Sequence, residues 1–238
     1  MSLPRFLVPH PGPALAGLQV PLTPAQARHL RTLRLGPGAA LELVLDGSPW
    51  RADLSELGRD GALARLVAPL PEDREPPFPI AAFVPVLAQL TLLDDLLPAL
   101  VELGATRIQP VAFARSEYDP GKAAARFERW ARIVQRACEQ SHRSKVPEFA
   151  LPVGFQALLE VDAIQRWVAH EVPTGGANPG LKPGPVAFTS GPEGGLTDGE
   201  FEALTAAGWR PVDLGGSILR AVTCPVALLG AVRFLRPR

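Results

Sequence analysis

Twice in the C-terminal third, a short apolar run passes into a glycine turn and then into a helical pattern, and this limits the possible folds more than any other feature. Pro185-Val186-Ala187-Phe188 precedes Thr189-Ser190-Gly191-Pro192-Glu193-Gly194-Gly195. A run this short, bounded by turn residues, reads as a buried strand. Thr197 and Glu200 then form a capping-box pair that predicts a helix over 198–207, closed by Gly208. Pro211 to Leu214 reads as a second strand, Gly215-Gly216 as its turn, and Ile218-Leu219-Arg220 as the approach to an apolar helix over 224–235. Glycines let a backbone turn sharply and come close to a ligand, and Pro192 stiffens the first turn. Glycine turns at adjacent strand ends are where open α/β sheets bind small molecules.

The strand–helix alternation begins at Ile80. Strands are expected at 80–87, 107–113 and 163–171, helices at 92–103 (with a kink at Pro98) and 123–140, and a glycine-rich loop at 172–184. In the longest helix, Phe127, Trp130, Val134, Ala137 and Cys138 share one face, while Arg129, Arg132 and Arg136 share another. Pro69 to Pro79 holds five prolines and four charged residues, the composition of a linker. Before it the pattern is mostly β. Strands are expected at 5–8, 41–45, 50–57 and 62–68, a hairpin turn at Asp46-Gly47, and one helix from Thr23 to about Leu33, which suits a small barrel. The expected division is therefore 1–70, a linker at 71–79, and 80–238.

With 47% apolar and 20% charged residues, the chain reads as soluble and globular. No apolar run approaches a membrane span and no secretory leader is evident, so a cytoplasmic location is expected. Cys138 and Cys224 lack metal-ligand spacing, as do the four scattered histidines, so no metal is expected and the cysteines read as small buried hydrophobes. Net charge is zero, yet residues 115–145 carry eight basic and four acidic side chains, a local excess of four. Such patches matter more to RNA binding than the total.

The G-P-E-G-G of 191–195 followed by the L-G-x-x-I-L-R of 214–220 resembles the ribosomal RNA small subunit methyltransferase E family, within the trefoil-knot (SPOUT) superfamily. Further motifs agree in order and spacing: His29-Leu30-Arg31-Thr32-Leu33-Arg34-Leu35, Glu102-Leu103-Gly104, Arg115-Ser116, and Glu139-Gln140 through Arg143 to Val146-Pro147. The resemblance implies a C-terminal SPOUT-type α/β domain with a deep trefoil knot after a small PUA-like β-barrel. It implies S-adenosylmethionine (SAM) as cofactor, methylation of uridine N3 in 16S ribosomal RNA, and a homodimer through the methyltransferase domain. Three positions depart from the family pattern: Gln89 and Ala99 stand where lysines are usual, and Val222 where a glutamate is usual. These departures support an alternative, a non-catalytic RNA-binding or assembly protein that retains the fold.

By this resemblance Thr189, Gly191, Gly194, Gly195, Leu214, Gly215, Ile218 and Leu219 are the expected cofactor contacts. A valine at Gly194 is expected to occupy ligand space. Uridine N3 is a poor nucleophile until its proton leaves, so a base or an anion stabiliser is required. Arg220 could steady the uracil anion or bind the SAM carboxylate, and Glu193 could be the base or could hold its own turn. Arg5, Arg31, Arg34, Arg115 and Arg143 are the candidate RNA contacts.

Overall fold

The computed structural model describes residues 3–10, 12–71, 74–170, 180–215 and 217–235. The chain divides into two compact units. One holds Met1–Glu75 together with Cys138–Lys145, the other Pro76–Ala137 with Val146–Arg238.

The first unit is a five-stranded sheet in the order β1 (Arg5–Val8), β3 (Ala40–Leu45), β4 (Ser48–Leu57), β5 (Ala62–Pro69), β2 (Gln19–Leu22). β1 pairs in parallel with β3, and the remaining pairs are antiparallel. Its apolar positions alternate along the strands and meet in one core that includes Phe6, Leu41, Leu43, Leu54 and Leu66. Ala27 and Leu30 of α1 (Pro24–Thr32) join that core. Thr23 caps α1 through a capping box with Gln26, and Pro24 sits in the first turn. Asp46 and Gly47 both take positive φ in the tight β3–β4 turn, the backbone that a two-residue hairpin requires. β2 lay hidden to sequence reading because Pro21 interrupts a four-residue run; it is an edge strand, where a missing N–H is tolerated.

Residues 138–145 join this unit through polar contacts. Glu75 accepts from the Arg143 guanidinium at 2.6 Å and from the backbone N–H groups of Ser144 and Lys145, both at 3.0 Å. Arg5 pairs with Glu42 at 3.0 Å and donates to Ser144 Oγ, while Glu139 accepts from Leu7 N–H at 3.3 Å.

The second unit is built on a fully parallel sheet in the order β12 (Arg210–Val212), β10 (Gln165–Ala169), β11 (Val186–Thr189), β6 (Ile80–Pro85), β7 (Arg107–Ala112), β8 (Glu148–Phe149), with β9 (Val153–Gly154) also on β7. Its central strands are near-continuous apolar runs, as a sheet covered on both faces demands. The helices are α2 (Leu92–Glu102), α3 (Pro120–Gln140), α4 (Asp198–Ala206) and α5 (Thr223–Leu235). α2 runs unbroken across Pro98. On α3, Trp130, Val134, Ala137 and Cys138 are buried and Phe127 is half-buried against Phe149. Asp94 of α2 accepts from Trp130 Nε1 at 2.9 Å and pairs with Arg129 at 2.9 Å, so one member of the arginine stripe fastens two helices of this unit together. Gly104 has φ +97°, a backbone conformation that L side chains rarely adopt, which explains the glycine in Glu102-Leu103-Gly104. The expected 172–184 loop lies mainly outside the described residues, as does Gly216. Among the described residues no helix is long and apolar enough to cross a membrane.

Candidate active site

The sheet order places the C-terminal ends of β11, β10 and β12 side by side, and a cleft of about 650 Å³ opens there. That volume lies within the roughly 300–1,000 Å³ usual for small-molecule sites. One wall is the turn Ser190 to Leu196; another is formed by Val212 to Gly215 with Ser217 to Val222; Ala169, His170, Leu92, Arg115 and Cys224 complete it.

The first turn is held from several directions. A Cβ on Gly191 would lie 2.9 Å from Leu196 N and 3.0 Å from the Gly195 carbonyl carbon, both backbone atoms that have no free side chain to yield. Gly195 has φ +71°, a conformation L residues rarely adopt. Glu193 accepts from Ala88 N–H at 3.2 Å, tying the turn to the segment that follows β6. At the far end Thr197 caps α4, and Glu200, buried at 7% exposure, accepts from Thr197 N at 2.9 Å and from Ala114 N at 2.7 Å. The second turn begins at Asp213, whose carboxylate accepts from Gly215 N at 2.8 Å; Gly215 has φ +113°. The Arg220 carbonyl accepts from Thr223 N and Cys224 N, both at 2.9 Å, and so opens α5 beside the cleft.

Nine of the ten expected cofactor and catalytic residues line the cleft: Gly191, Glu193, Gly194, Gly195, Leu214, Gly215, Ile218, Leu219 and Arg220. Thr189 does not. It is fully buried one residue below the rim, and its hydroxyl has no hydrogen-bond partner among the described residues. Glu193, for which both the role of base and that of holding its turn are open, accepts from Ala88 N–H. A Cβ on Gly194 would meet Arg115 Cβ at 3.0 Å, so a substitution displaces Arg115 before it occupies ligand space.

The expected RNA contacts separate into three groups. Arg5 and Arg143 are 8% and 2% exposed and paired with Glu42 and Glu75, so neither guanidinium faces solvent; both belong to the internal network of the first unit. Arg31 and Arg34 are exposed, Arg31 donating to the Gly58 and Arg59 carbonyls. Arg115 lies in the cleft wall and donates to Gly194 O at 2.9 Å and Leu196 O at 3.2 Å.

Sequence reading missed Leu92, Ala169, His170, Ser190 and Cys224 as members of the lining. β10 precedes β11 in the chain but lies between β11 and β12 in the sheet, and chain order does not reveal that placement. Asp213 had a readable signal, since an aspartate two residues before a glycine is an Asx-turn pattern. His170 stacks on Phe201 of α4 with ring centroids 3.9 Å apart. Burial pushes the Cys224 thiol up to about 11, against the smaller opposing effect of the Ser190 hydroxyl, so the cleft wall is uncharged there near neutrality. Of the three departures from the family pattern, Val222 lines the cleft, whereas Gln89 and Ala99 are outside its lining.

Glycines that admit close backbone approach, apolar side chains (Leu92, Leu196, Val212, Leu214, Ile218, Leu219) and a few polar groups suit a nucleoside-bearing ligand such as SAM. Ile218, 83% exposed, adds an apolar side chain to the rim.

Comparisons with known proteins agree with this geometry. Residues 74–233 match a family model described as an RNA methyltransferase domain. The chain is 36% identical over 227 residues to the ribosomal RNA small subunit methyltransferase E of Synechocystis sp., covering 91% of this chain and 73% of that protein. It is 30% identical over 203 residues to the enzyme of the same name from Bacillus subtilis, covering 79% and 78%. The fold matches a Neisseria gonorrhoeae ribosomal RNA small subunit methyltransferase E bound to SAM, with TM-score 0.86, 32% identity and 98% of both chains covered. A Legionella pneumophila methyltransferase in complex with SAM matches with TM-score 0.86, 26% identity and 98% of both chains covered.

Proposed function

Because the chain belongs to the ribosomal RNA small subunit methyltransferase E family, we propose that it transfers the methyl group of SAM to N3 of a uridine in 16S ribosomal RNA. The observation that carries this reading is the cleft at the ends of β10, β11 and β12, walled by two glycine turns, in a fold shared with SAM-bound relatives.

When bound, SAM supplies an electrophilic methyl on a sulfonium, and alignment with the acceptor provides much of the rate. The chain's part is to hold, orient and stabilise. Gly191, Gly194, Gly195 and Gly215 leave backbone groups approachable, and Leu214, Ile218 and Leu219 offer apolar cover. Arg220 lines the same cleft on an exposed stretch. Its planar fork of donors suits the carbonyl edge of a uracil that has lost its N3 proton, and stabilising that anion would favour the attacking form. Glu193, engaged with Ala88, is the weaker candidate for the base.

The same reading includes a trefoil knot formed around α5, a PUA-like barrel in the first unit, and a homodimer through the second. Phe234 at 88% exposure and Leu235 at 45%, at the end of α5, support the dimer as apolar surface available for burial. Arg31 and Arg34 support phosphate contacts by the first unit.

The decisive experiment incubates the full chain with SAM and 30S subunits lacking the modification, then maps methylated nucleotides by mass spectrometry. A single N3-methyluridine is expected. Val222 in the cleft favours the alternative of a binding protein without catalysis. SAM binding by calorimetry with no transfer to 30S subunits or free 16S RNA would establish that alternative instead.

A further inference from the structure

We infer that Arg115 is a positioning residue for the cofactor turn rather than a contact to RNA phosphate; the inference rests on the methyltransferase reading and concerns the same cleft. The segment after β7 is clipped at two neighbouring points, to the first turn of α4 and to the glycine turn. Ala114 N–H donates to the buried Glu200 carboxylate at 2.7 Å, and Glu200 also closes the capping box of α4. One residue on, Arg115 Nη1 donates to the carbonyls of Gly194 at 2.9 Å and Leu196 at 3.2 Å. Ser116 folds the segment back to make this possible. Its Oγ accepts from Phe113 N at 3.1 Å, and its N–H donates to Phe113 O at 3.0 Å.

The consequence lies in how the peptide groups are set. The Gly194 and Leu196 carbonyls share peptide planes with the Gly195 and Thr197 N–H groups, which donate to Pro192 O and Glu200, so each plane is held from both sides. Gly195, at φ +71°, has little intrinsic preference of its own, and a glycine held from outside needs such an anchor. The close approach of Arg115 Cβ, 3.0 Å from where a Cβ on Gly194 would lie, explains why residue 194 has no side chain. The Arg-Ser pair and the G-P-E-G-G turn are therefore two halves of one device, though they are far apart in sequence.

The test compares Arg115→Ala, Arg115→Lys, Gly194→Ala and the Arg115→Ala/Gly194→Ala double variant with the unmodified chain. Amide hydrogen exchange at Gly195 to Thr197 in the absence of SAM should accelerate in Arg115→Ala, with the global melting temperature little changed. SAM affinity should fall about 10- to 100-fold, as expected for lost charge-assisted hydrogen bonds, and Arg115→Lys should recover part of it. The double variant should be no worse than the more damaging single change, because both act on one contact. Affinity for 30S subunits should hold within about twofold, where a lost phosphate contact would instead weaken it and flatten its salt dependence. Unchanged exchange and SAM affinity, with weakened 30S binding, overturns the inference. Failure of the unmodified chain to bind SAM would sink the methyltransferase reading, and the exchange measurement would still decide whether Arg115 holds the turn. If Arg115→Ala does not fold, Arg115→Lys carries the same comparison.

Discussion

At Gly191 even a methyl group has nowhere to go, because the atoms it would meet are backbone of its own turn. Gly191→Ala should therefore reshape the turn and abolish measurable SAM binding in calorimetry, while circular dichroism of the sheet and helices stays near that of the unmodified chain. Gly215 offers a contrast: among the described residues, its chain neighbours aside, no atom lies within 4 Å of its missing Cβ, but φ +113° strains any other residue. Gly215→Ala should cost about 1 kcal/mol in unfolding experiments, from backbone strain alone. Arg220 is assigned to the reacting base, so Arg220→Ala should lower kcat about 100-fold or more and leave SAM affinity within about threefold. A large loss of SAM affinity at unchanged kcat would make it a cofactor clamp. The cysteines are the quiet residues. Burial pushes Cys138 up to about 12 and Cys224 to about 11, so both thiols stay protonated at pH 8 and native protein should alkylate slowly. Mass spectrometry after iodoacetamide treatment, with and without denaturant, checks this.

Among the elements, the end of α3 with the turn after it carries the densest polar chemistry. Burial works to raise the Glu75 pKa, but the hydrogen bonds and charge of Arg143, with the N–H groups of Lys145 and Ser144, together hold it below its ordinary 4.5. Glu42 behaves alike: burial is opposed and outweighed by His142 and Arg5. A carboxylate depressed in the folded state stabilises fully above its unfolded pKa, and that contribution is lost as pH falls through the folded value. Acid should thus weaken the first unit progressively below about pH 4.5, and thermal melts from pH 6 to 2 would record it. Glu75→Ala at pH 7 should cost about 3–5 kcal/mol, because it takes away the carboxylate that the buried Arg143 guanidinium and the Ser144 and Lys145 N–H groups donate to. That penalty should shrink on acidification. The sequence made the elements themselves readable: α1 and α4 announce themselves through Thr23/Gln26 and Thr197/Glu200, and β3–β4 through Asp46-Gly47. It did not show that Arg5 and Arg143 turn inward, since an arginine's partners lie far along the chain: Glu42 is 37 residues from Arg5, and Glu75 68 from Arg143. The glycine turns were legible because their chemistry is local. The cleft's remaining wall, from Ala169 and His170, depends on strand order in space.

For the molecule as a whole, the division into units does not coincide with a single cut in the chain, because Cys138–Lys145 belong with Met1–Glu75. A fragment beginning at Ile80 would keep Arg143 but lose Glu75, and one ending at Glu75 would keep Glu75, Arg5 and Glu42 but lose Arg143, Ser144 and His142. Each should be less stable to heat and protease than its counterpart within the intact chain, and 1–145 should protect the first unit better than 1–75. Synthesis on a ribosome gives this arrangement a direction in time. Domains usually fold as units while the chain emerges, N-terminal first. Here the N-terminal unit cannot finish until Lys145 has left the exit tunnel, after the whole stretch Pro76–Ala137 has passed. During that interval Arg5 and Glu75 wait without Ser144 and Arg143, and the nascent chain carries a half-assembled electrostatic lock that the end of α3 arrives to close.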